Sequence, residues 1–135
     1  MDKLSDVEKR LHTFSDLNER SIAQYLENLG RIVTANKLQE ISGVGRQGDA
    51  FVDGVKTEFK TLDAAAVPNT IKNDVNKSIR GKRQARRIIF DARNNSMTKE
   101  EAETGVFKAL GISRGKIDYI EIISKDYFFG YAPKK

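Results

Sequence analysis

The chain has 135 residues, a formal net charge of +5, one histidine and no cysteine. This length suffices for one domain with its own core, and the composition excludes disulfides, thiolate zinc sites, Cys-His triads and paired-histidine nucleases. No apolar run reaches the length of a membrane span, and the first ten residues are too charged for a signal peptide. We therefore expect one soluble domain over residues 1–135, with 1–15 as an N-terminal helical extension.

Two capping signals open the first predicted helices. The box that starts at Ser5 predicts a short helix to about residue 12. A second box starts at Asp16 and predicts a helix that runs to Leu29, where Gly30 supplies the stop. A short strand is expected at residues 31–34, and the glycines that follow favour a loop.

Asp53-Gly54, between two short β-rich runs, is a strong local signal for a two-residue hairpin turn. In that register Asp49 pairs with Glu58, so two carboxylates stand opposite each other, where like charges repel. The alternation of a strand places mostly apolar side chains on one face of the hairpin. The other face concentrates charge and carries Asp49, Phe51, Lys56, Glu58 and Lys60.

Two interpretations of this charged face remain open. It is either a solvated surface whose lysines offset its acids, or a site where Asp49 and Glu58 hold a divalent metal, with Lys60 one pleat further on. Mg²⁺ is the expected metal, with Mn²⁺ and Zn²⁺ as alternatives. Glu19 lies near the centre of the apolar stripe of its helix, so it either caps that helix or points inward as a third convergent acid.

The second half of the chain alternates helices and strands. Residues 71–79 repeat isoleucine or valine every four positions and predict a helix to about Ala85, and RRIIFDA then predicts a buried strand. Thr98 caps a further helix, which we expect to end at Leu110-Gly111. IDYIEIIS predicts another strand, and DYFFGY predicts an edge strand or a packed terminus. This order implies an α/β fold with a mixed β-sheet flanked by helices.

Positive charge is concentrated in one segment. Between Lys72 and Arg93 there are eight Lys or Arg residues and two Asp residues, a net charge of +6 that exceeds that of the whole chain. Such a segment favours a polyanion partner, either nucleic acid or an acidic protein, and its alternative is an ordinary basic helix surface. The candidate nucleic-acid contacts are Lys56, Lys82, Arg83, Gln84, Arg86 and Arg87.

Glu19, Gly48-Asp49 and Glu58-Phe59-Lys60 together resemble the PD-(D/E)xK nuclease superfamily. Its pattern is a helical Glu, an Asp that often follows Pro, and an acid-x-Lys on the next strand; here Gly48 stands in place of the proline. The resemblance implies an αβββαβ core of restriction-endonuclease type, which the predicted order matches. It also implies that Asp49, Glu58 and Glu19 bind metal and that these acids and Lys60 are catalytic, with Lys60 orienting water or stabilising developing charge.

A closer likeness involves EFKT, the basic helix ending in Gln84-Ala85, and the strands IIFDA and IDYIEII. Together they are similar to the C-terminal toxin domains of contact-dependent growth inhibition proteins. That resemblance implies a metal-dependent endonuclease that cuts tRNA, an acidic immunity protein as partner, and delivery into a target cell, where the domain acts in the cytoplasm. The alternatives are a DNA-directed nuclease of the same superfamily and a non-catalytic basic module that binds nucleic acid.

Overall fold

The computed structural model describes residues 5–36, 49–80 and 85–132. Within them, four helices flank a six-stranded sheet whose strands lie side by side in chain order. The elements are α1 (Asp6–Leu11), α2 (Leu17–Asn28), β1 (Val33–Ala35), β2 (Ala50–Val52), β3 (Val55–Thr61), α3 (Pro68–Arg80), β4 (Arg87–Asp91), α4 (Lys99–Ser113), β5 (Tyr119–Ile123) and β6 (Phe128–Tyr131). β1, β2 and β3 are antiparallel neighbours, β3, β4 and β5 are parallel, and β6 is antiparallel to β5. The predicted mixed sheet flanked by helices is confirmed, and α2 to β4 follow the order αβββαβ.

Side chains cap the helices where the sequence places the capping boxes. Ser5, Asp16 and Thr98 each accept a hydrogen bond from the backbone N–H three residues further on. After α2, Gly30 adopts a φ of +87°, a left-handed conformation that costs glycine little. The predicted starts of these three helices and the stop at Gly30 are therefore confirmed.

The predicted end of α4 is wrong. The helix passes through Gly111 to Ser113, and the left-handed residues are Arg114 (φ +51°) and Gly115 (φ +78°). A glycine stops a helix only where the chain turns left-handed, and that turn comes three residues later than expected. The predicted loop at 37–48 and the predicted last turn of α3 at 81–84 lie outside the described residues.

Both faces of the sheet are covered by helices. One face packs against α3 and α4, in a core that includes Ile88, Phe90, Ile120 and Ile122. The other face packs against α1 and α2, and that core includes Phe59, Ile89 and Ile123 together with Leu11 and Phe14 from the predicted N-terminal extension. Strands buried on both faces read as near-continuous apolar runs, as β4 does at Ile88, Ile89 and Phe90, whereas the run of β5 is interrupted by the buried Glu121.

The close contact of α3 with α4 depends on Gly105. A Cβ atom at this position would lie 2.6 Å from the backbone oxygen of Pro68, nearer than atoms can pack. We expect Gly105→Ala to destabilise the protein by about 1–3 kcal/mol through overpacking, although alanine is the better helix former.

Gly111, six residues further along α4, is the matched control because a Cβ atom there has nothing within 4 Å. Gly111→Ala should stabilise the protein by roughly 0.5–1 kcal/mol. Urea unfolding of both variants measures the two effects. Equal changes in the free energy of unfolding would mean that the contact at Gly105 does not limit helix packing.

Glu27 links α1, α2 and β1. Its carboxylate, on a side chain only 3 % exposed, accepts two hydrogen bonds from Arg10, at 2.6 and 2.7 Å, and one from the Val33 N–H at 3.0 Å. The hydrogen bonds from Arg10 are the main reason that the pKa of Glu27 lies below its usual value. Replacing this acid should therefore weaken the attachment of α1.

Because folding lowers the pKa of Glu27, its stabilising effect is complete above the unfolded pKa of about 4.3 and is lost as the pH falls through the folded pKa. We expect Glu27→Gln to lower the free energy of unfolding by about 2 kcal/mol at pH 7, and the gap from the wild type to shrink below about pH 4. Urea titrations from pH 7 to 3 measure it, with the exposed Glu8→Gln as control. A gap that stays constant with pH would contradict this role.

A buried ion pair ties the chain after α2 to β5. Arg31 Nη1 lies 2.9 and 2.8 Å from the two carboxylate oxygens of Glu121, a residue only 1 % exposed. The Arg31 Nε also lies 3.6 Å from the carboxylate of Asp53, so one guanidinium connects β5 with the turn between β2 and β3. Burial first, and then the Glu121 carboxylate, raise the pKa of Tyr119, which keeps that neighbouring hydroxyl protonated.

Candidate functional site

The hairpin that carries the predicted site has the register expected from its turn. Val52 pairs with Val55, and Ala50 pairs with Thr57. The turn residues Asp53 and Gly54 have φ values of +49° and +83°, as a two-residue turn between twisted strands requires. β3 therefore presents Glu58 and Lys60 on one side of the sheet, as predicted.

Asp49 lies just outside this ladder, which ends at Ala50, so the predicted direct pairing of Asp49 with Glu58 is not part of the register. Its backbone N–H donates to the Thr57 oxygen at 3.0 Å, and its carboxylate accepts the Phe59 N–H at 2.7 Å. The backbone and the side chain of Asp49 thus bind the β3 backbone on either side of Glu58. A charge-assisted hydrogen bond holds this acid in place in a buried position.

Glu58 is fully buried, and Lys60 lies beside it. The Lys60 Nζ is 3.4 Å from Glu58 Oε1, and the Lys60 side chain is 19 % exposed. The interpretation of this face as a solvated surface is wrong for Glu58, because its exposure is 0 %. Burying a carboxylate costs desolvation free energy, so Glu58 is not explained as a residue that keeps the surface soluble.

Strand pairing fixes the side of the sheet on which this pair lies. Glu58 stands next to Ile88 and Lys60 next to Phe90, and both neighbours belong to the core under α3 and α4. Cross-strand neighbours share a face of the sheet, so Glu58 and Lys60 point toward α3 and α4. The charged pair lies on β3, near the carboxyl ends of the parallel strands, the edge at which open α/β sheets bind ligands.

Two of the three predicted metal ligands suit a hard cation. Asp49 and Glu58 are buried carboxylates on neighbouring segments, and such oxygen donors are what Mg²⁺ prefers. Glu19 lies in the first turn of α2, in the layer that covers the opposite face of the sheet. Over residues 5–36, 49–80 and 85–132, no three His, Cys, Asp or Glu side chains are grouped closely enough to hold a metal ion. A metal held by Asp49 and Glu58 therefore stays a prediction, as does Glu19 as a third ligand.

The predicted nucleic-acid contacts are partly engaged within the protein. Arg86 makes two hydrogen bonds to Asp118, at 2.9 and 3.0 Å, which raise the pKa of Arg86, and it also donates to the Gly115 oxygen. The Arg87 guanidinium lies 4.5 Å from the centre of the Tyr119 ring. Lys56 is half-buried on β3. Lys82, Arg83 and Gln84 lie outside the described residues, so the role of this set stays a prediction.

Sequence reasoning missed a polar cluster at the carboxyl end of β4. The Arg93 guanidinium donates two hydrogen bonds to the buried carboxylate of Asp91, at 2.8 and 2.9 Å, and one to Ser21 on α2 at 2.8 Å. The same guanidinium lies 5.3 Å from the centre of the Tyr25 ring, and the hydrogen bonds to Asp91 raise the pKa of Arg93. The available signal was an Asp-x-Arg sequence directly after a buried strand, since polar side chains there reach the ligand-binding edge of the sheet.

Membrane insertion through a helix has no support in the described parts of the chain. None of their helices combines the length and the apolar character needed to cross a bilayer.

Comparison with known proteins places the chain in a family. The profile of the contact-dependent growth inhibition CdiA C-terminal domain matches residues 46–127, more than half of the chain. None of the curated proteins matches it. The fold is similar to a chain in the CdiA-CT/CdiI toxin and immunity complex from Burkholderia pseudomallei, with a TM-score of 0.66 and 20 % identity over 98 % of this chain and 95 % of that one. At this identity the likeness shows the fold alone. The profile match carries the assignment, and the chain therefore belongs to the family of contact-dependent growth inhibition CdiA C-terminal domains, the toxin domains of a bacterial competition system.

Proposed function

We propose that this toxin domain is a metal-dependent nuclease of the PD-(D/E)xK type that hydrolyses phosphodiester bonds in RNA, with tRNA as the expected substrate. The observation that carries the proposal is the fully buried Glu58 with Lys60 3.4 Å away on the same strand, next to the buried Asp49. An acid, a second acid and a lysine at the ligand-binding edge of a sheet are the groups that phosphodiester hydrolysis requires.

The burial of Glu58 favours a functional role over a structural one. A side chain of this volume in an apolar core would stabilise the fold more as a methionine or leucine, so a sequence selected for stability alone has no reason to keep a carboxylate there. Functional sites are where proteins accept such costs.

Each residue has a definable task in this reaction. Asp49 and Glu58 would hold the metal, and Glu19, whose helix covers the opposite face of the sheet, would have to reach the site around the sheet edge, directly or through water. A bound metal supplies an activated water and polarises the phosphoryl group. The Lys60 ammonium, held beside Glu58, would orient the attacking water or offset the negative charge that builds up on the phosphate oxygens. The hydrogen bond from the Phe59 N–H fixes the Asp49 carboxylate against β3 before substrate binds.

The proposed partner besides RNA is an acidic immunity protein. The similar fold from Burkholderia pseudomallei belongs to a toxin and immunity complex. The net charge of +5 on this chain favours a partner of opposite sign. We propose that such a partner protects the producing cell and that the toxin acts after delivery, in the cytoplasm of a target cell.

Incubation of the purified protein with total tRNA and, separately, with plasmid DNA tests the function. Each substrate is combined with Mg²⁺, Mn²⁺, Zn²⁺ or EDTA. Discrete tRNA fragments that disappear with EDTA are the expected result. Nicked DNA in place of tRNA fragments would assign the site to DNA, because the same metal site serves both substrates. Binding without cleavage of either substrate would contradict nuclease activity and favour a non-catalytic basic module.

A further inference from the structure

A groove on the outer surface of the helix layer lies apart from the candidate active site. It has a volume of about 570 Å³ and runs between α3 and the end of α4. Its lining consists of Lys72, Asn73, Asn76, Gly111, Ile112 and Arg114. The inward side of α3 is occupied by Ile71 and Val75, both fully buried, so the groove opens on the side away from the sheet.

The polar side chains of the groove are available for a ligand. In the described ranges 5–36, 49–80 and 85–132, Lys72, Asn73, Asn76 and Arg114 make no side-chain hydrogen bond or ion pair. By contrast Arg86, Arg93 and Arg31 are each held by a carboxylate. The groove therefore offers two cations and two amides whose donors face solvent.

The surroundings of the groove are mainly positive. Residues 105–116 contain three Lys or Arg residues and no acid, and α3 contains three Lys or Arg residues and one acid, Asp74. The acids of α4, Glu100, Glu101 and Glu103, lie toward its other end. A concave surface lined by cations and no carboxylate concentrates anions by focusing the field.

Gly111 keeps the groove open. It lies inside a helix, where glycine is the least favourable residue after proline, yet a Cβ atom there would meet nothing within 4 Å. Packing therefore does not require this glycine, whereas a side chain at this position would project into the space that the groove provides.

From these observations we infer that the groove binds the sugar-phosphate backbone of the nucleic-acid substrate; this inference rests on the proposed nuclease function. Lys72 and Arg114 would each contact a phosphate, and Asn73 and Asn76 would donate to phosphate or ribose oxygens, the pattern of contacts that positions a nucleic acid without reading its sequence. The mostly polar lining disfavours a protein partner, because the centre of a protein interface is apolar and depleted in charge.

The test measures binding separately from cleavage. Fluorescein-labelled total tRNA is titrated with the Glu58→Gln protein in EDTA at several NaCl concentrations, and anisotropy gives the affinity. The groove variant is Lys72→Gln/Arg114→Asn, since asparagine tolerates the left-handed backbone of residue 114. The control variant, Lys9→Gln/Lys99→Gln, removes two exposed charges from α1 and the start of α4.

We expect the groove variant to bind tRNA about tenfold more weakly and the slope of log affinity against log salt to become shallower by about 1.5, as loss of two phosphate contacts predicts. The control variant should change affinity by less than about twofold. Gly111→Glu, which fills the groove with a negative charge, should also weaken binding while the melting temperature does not fall, so a folding defect cannot explain the loss.

Different results would overturn the groove inference or the nuclease proposal. Equal changes in the groove and control variants would show that the groove does not touch RNA, and if the parent protein still cuts tRNA the nuclease proposal survives. Normal tRNA binding by a groove variant that an immunity protein no longer neutralises would make the groove a protein interface. Conversely, groove-dependent tRNA binding by a protein that cuts neither tRNA nor DNA would support the groove and contradict the nuclease.

Discussion

Glu58→Gln is expected to lower the rate of tRNA cleavage by more than about 100-fold, a loss larger than removal of a residue that only supports a metal ligand usually causes. Glutamine has nearly the same shape as glutamate, so the buried site next to Lys60 should stay filled and the fold should be kept. The loss would therefore report the missing negative charge. Single-turnover cleavage of labelled tRNA measures the rate.

Metal binding gives a second readout that does not depend on activity. A cation that binds only the folded protein, at about 100 times its Kd, stabilises it by about 2.7 kcal/mol. Mg²⁺ should therefore raise the melting temperature of the wild type and not that of Glu58→Gln.

Lys60→Met should keep this thermal response to Mg²⁺ while the rate of cleavage falls by roughly 10²–10³-fold. The reason is that the lysine acts on the charge that develops on the phosphate and not on the metal.

Glu100→Gln is the matched control for this experiment, since Glu100 is an exposed acid in the first turn of α4. Its cleavage rate and its thermal response to Mg²⁺ should both equal those of the wild type. If Glu58→Gln cleaved tRNA at the wild-type rate, the buried acid would not be part of the chemistry, and the proposed site would have to be abandoned.

Arg31→Met is expected to destabilise the protein by about 3–5 kcal/mol, the usual effect of removing one partner of a buried ion pair. Glu121 is 1 % exposed and receives two hydrogen bonds from Arg31, so the variant leaves its carboxylate buried without the opposing charge. For a domain of this size the melting temperature should fall by roughly 10 °C or more. Urea unfolding and thermal melts measure both quantities.

Two further variants isolate the cause of this loss. Arg31→Met/Glu121→Gln removes both charges and should recover much of the stability, which a double-mutant cycle expresses as a coupling energy. Arg86→Met breaks an ion pair with Asp118 in which the two side chains are 52 % and 61 % exposed, and it should leave stability close to that of the wild type. If Arg31→Met cost no more than Arg86→Met, the pair with Glu121 would not support the fold.

Much of the local structure could be predicted because its causes are close in sequence. The caps at Ser5, Asp16 and Thr98 act over three residues, and the Asp-Gly turn sets the register of the hairpin directly. Apolar runs of strand length predicted the parallel strands β4 and β5, because a strand covered on both faces shows no alternation. Glu58 and Lys60 lie close together because residues two apart on a strand point to the same face, and no tertiary contact is needed for this.

The tertiary structure alone decided which charges are buried and what they contact. Arg31 and Glu121 are ninety residues apart in sequence, and no local pattern connects them. The sequence also left open whether the charged face of the hairpin is solvated, because burial of Glu58 depends on how α3 and α4 cover the sheet after the chain has crossed it twice. The same crossing sets α3 beside α4 and creates the groove between Lys72 and Arg114. Local hydrogen bonds and side-chain periodicity thus determine the elements, whereas burial and charge pairing depend on packing between distant segments.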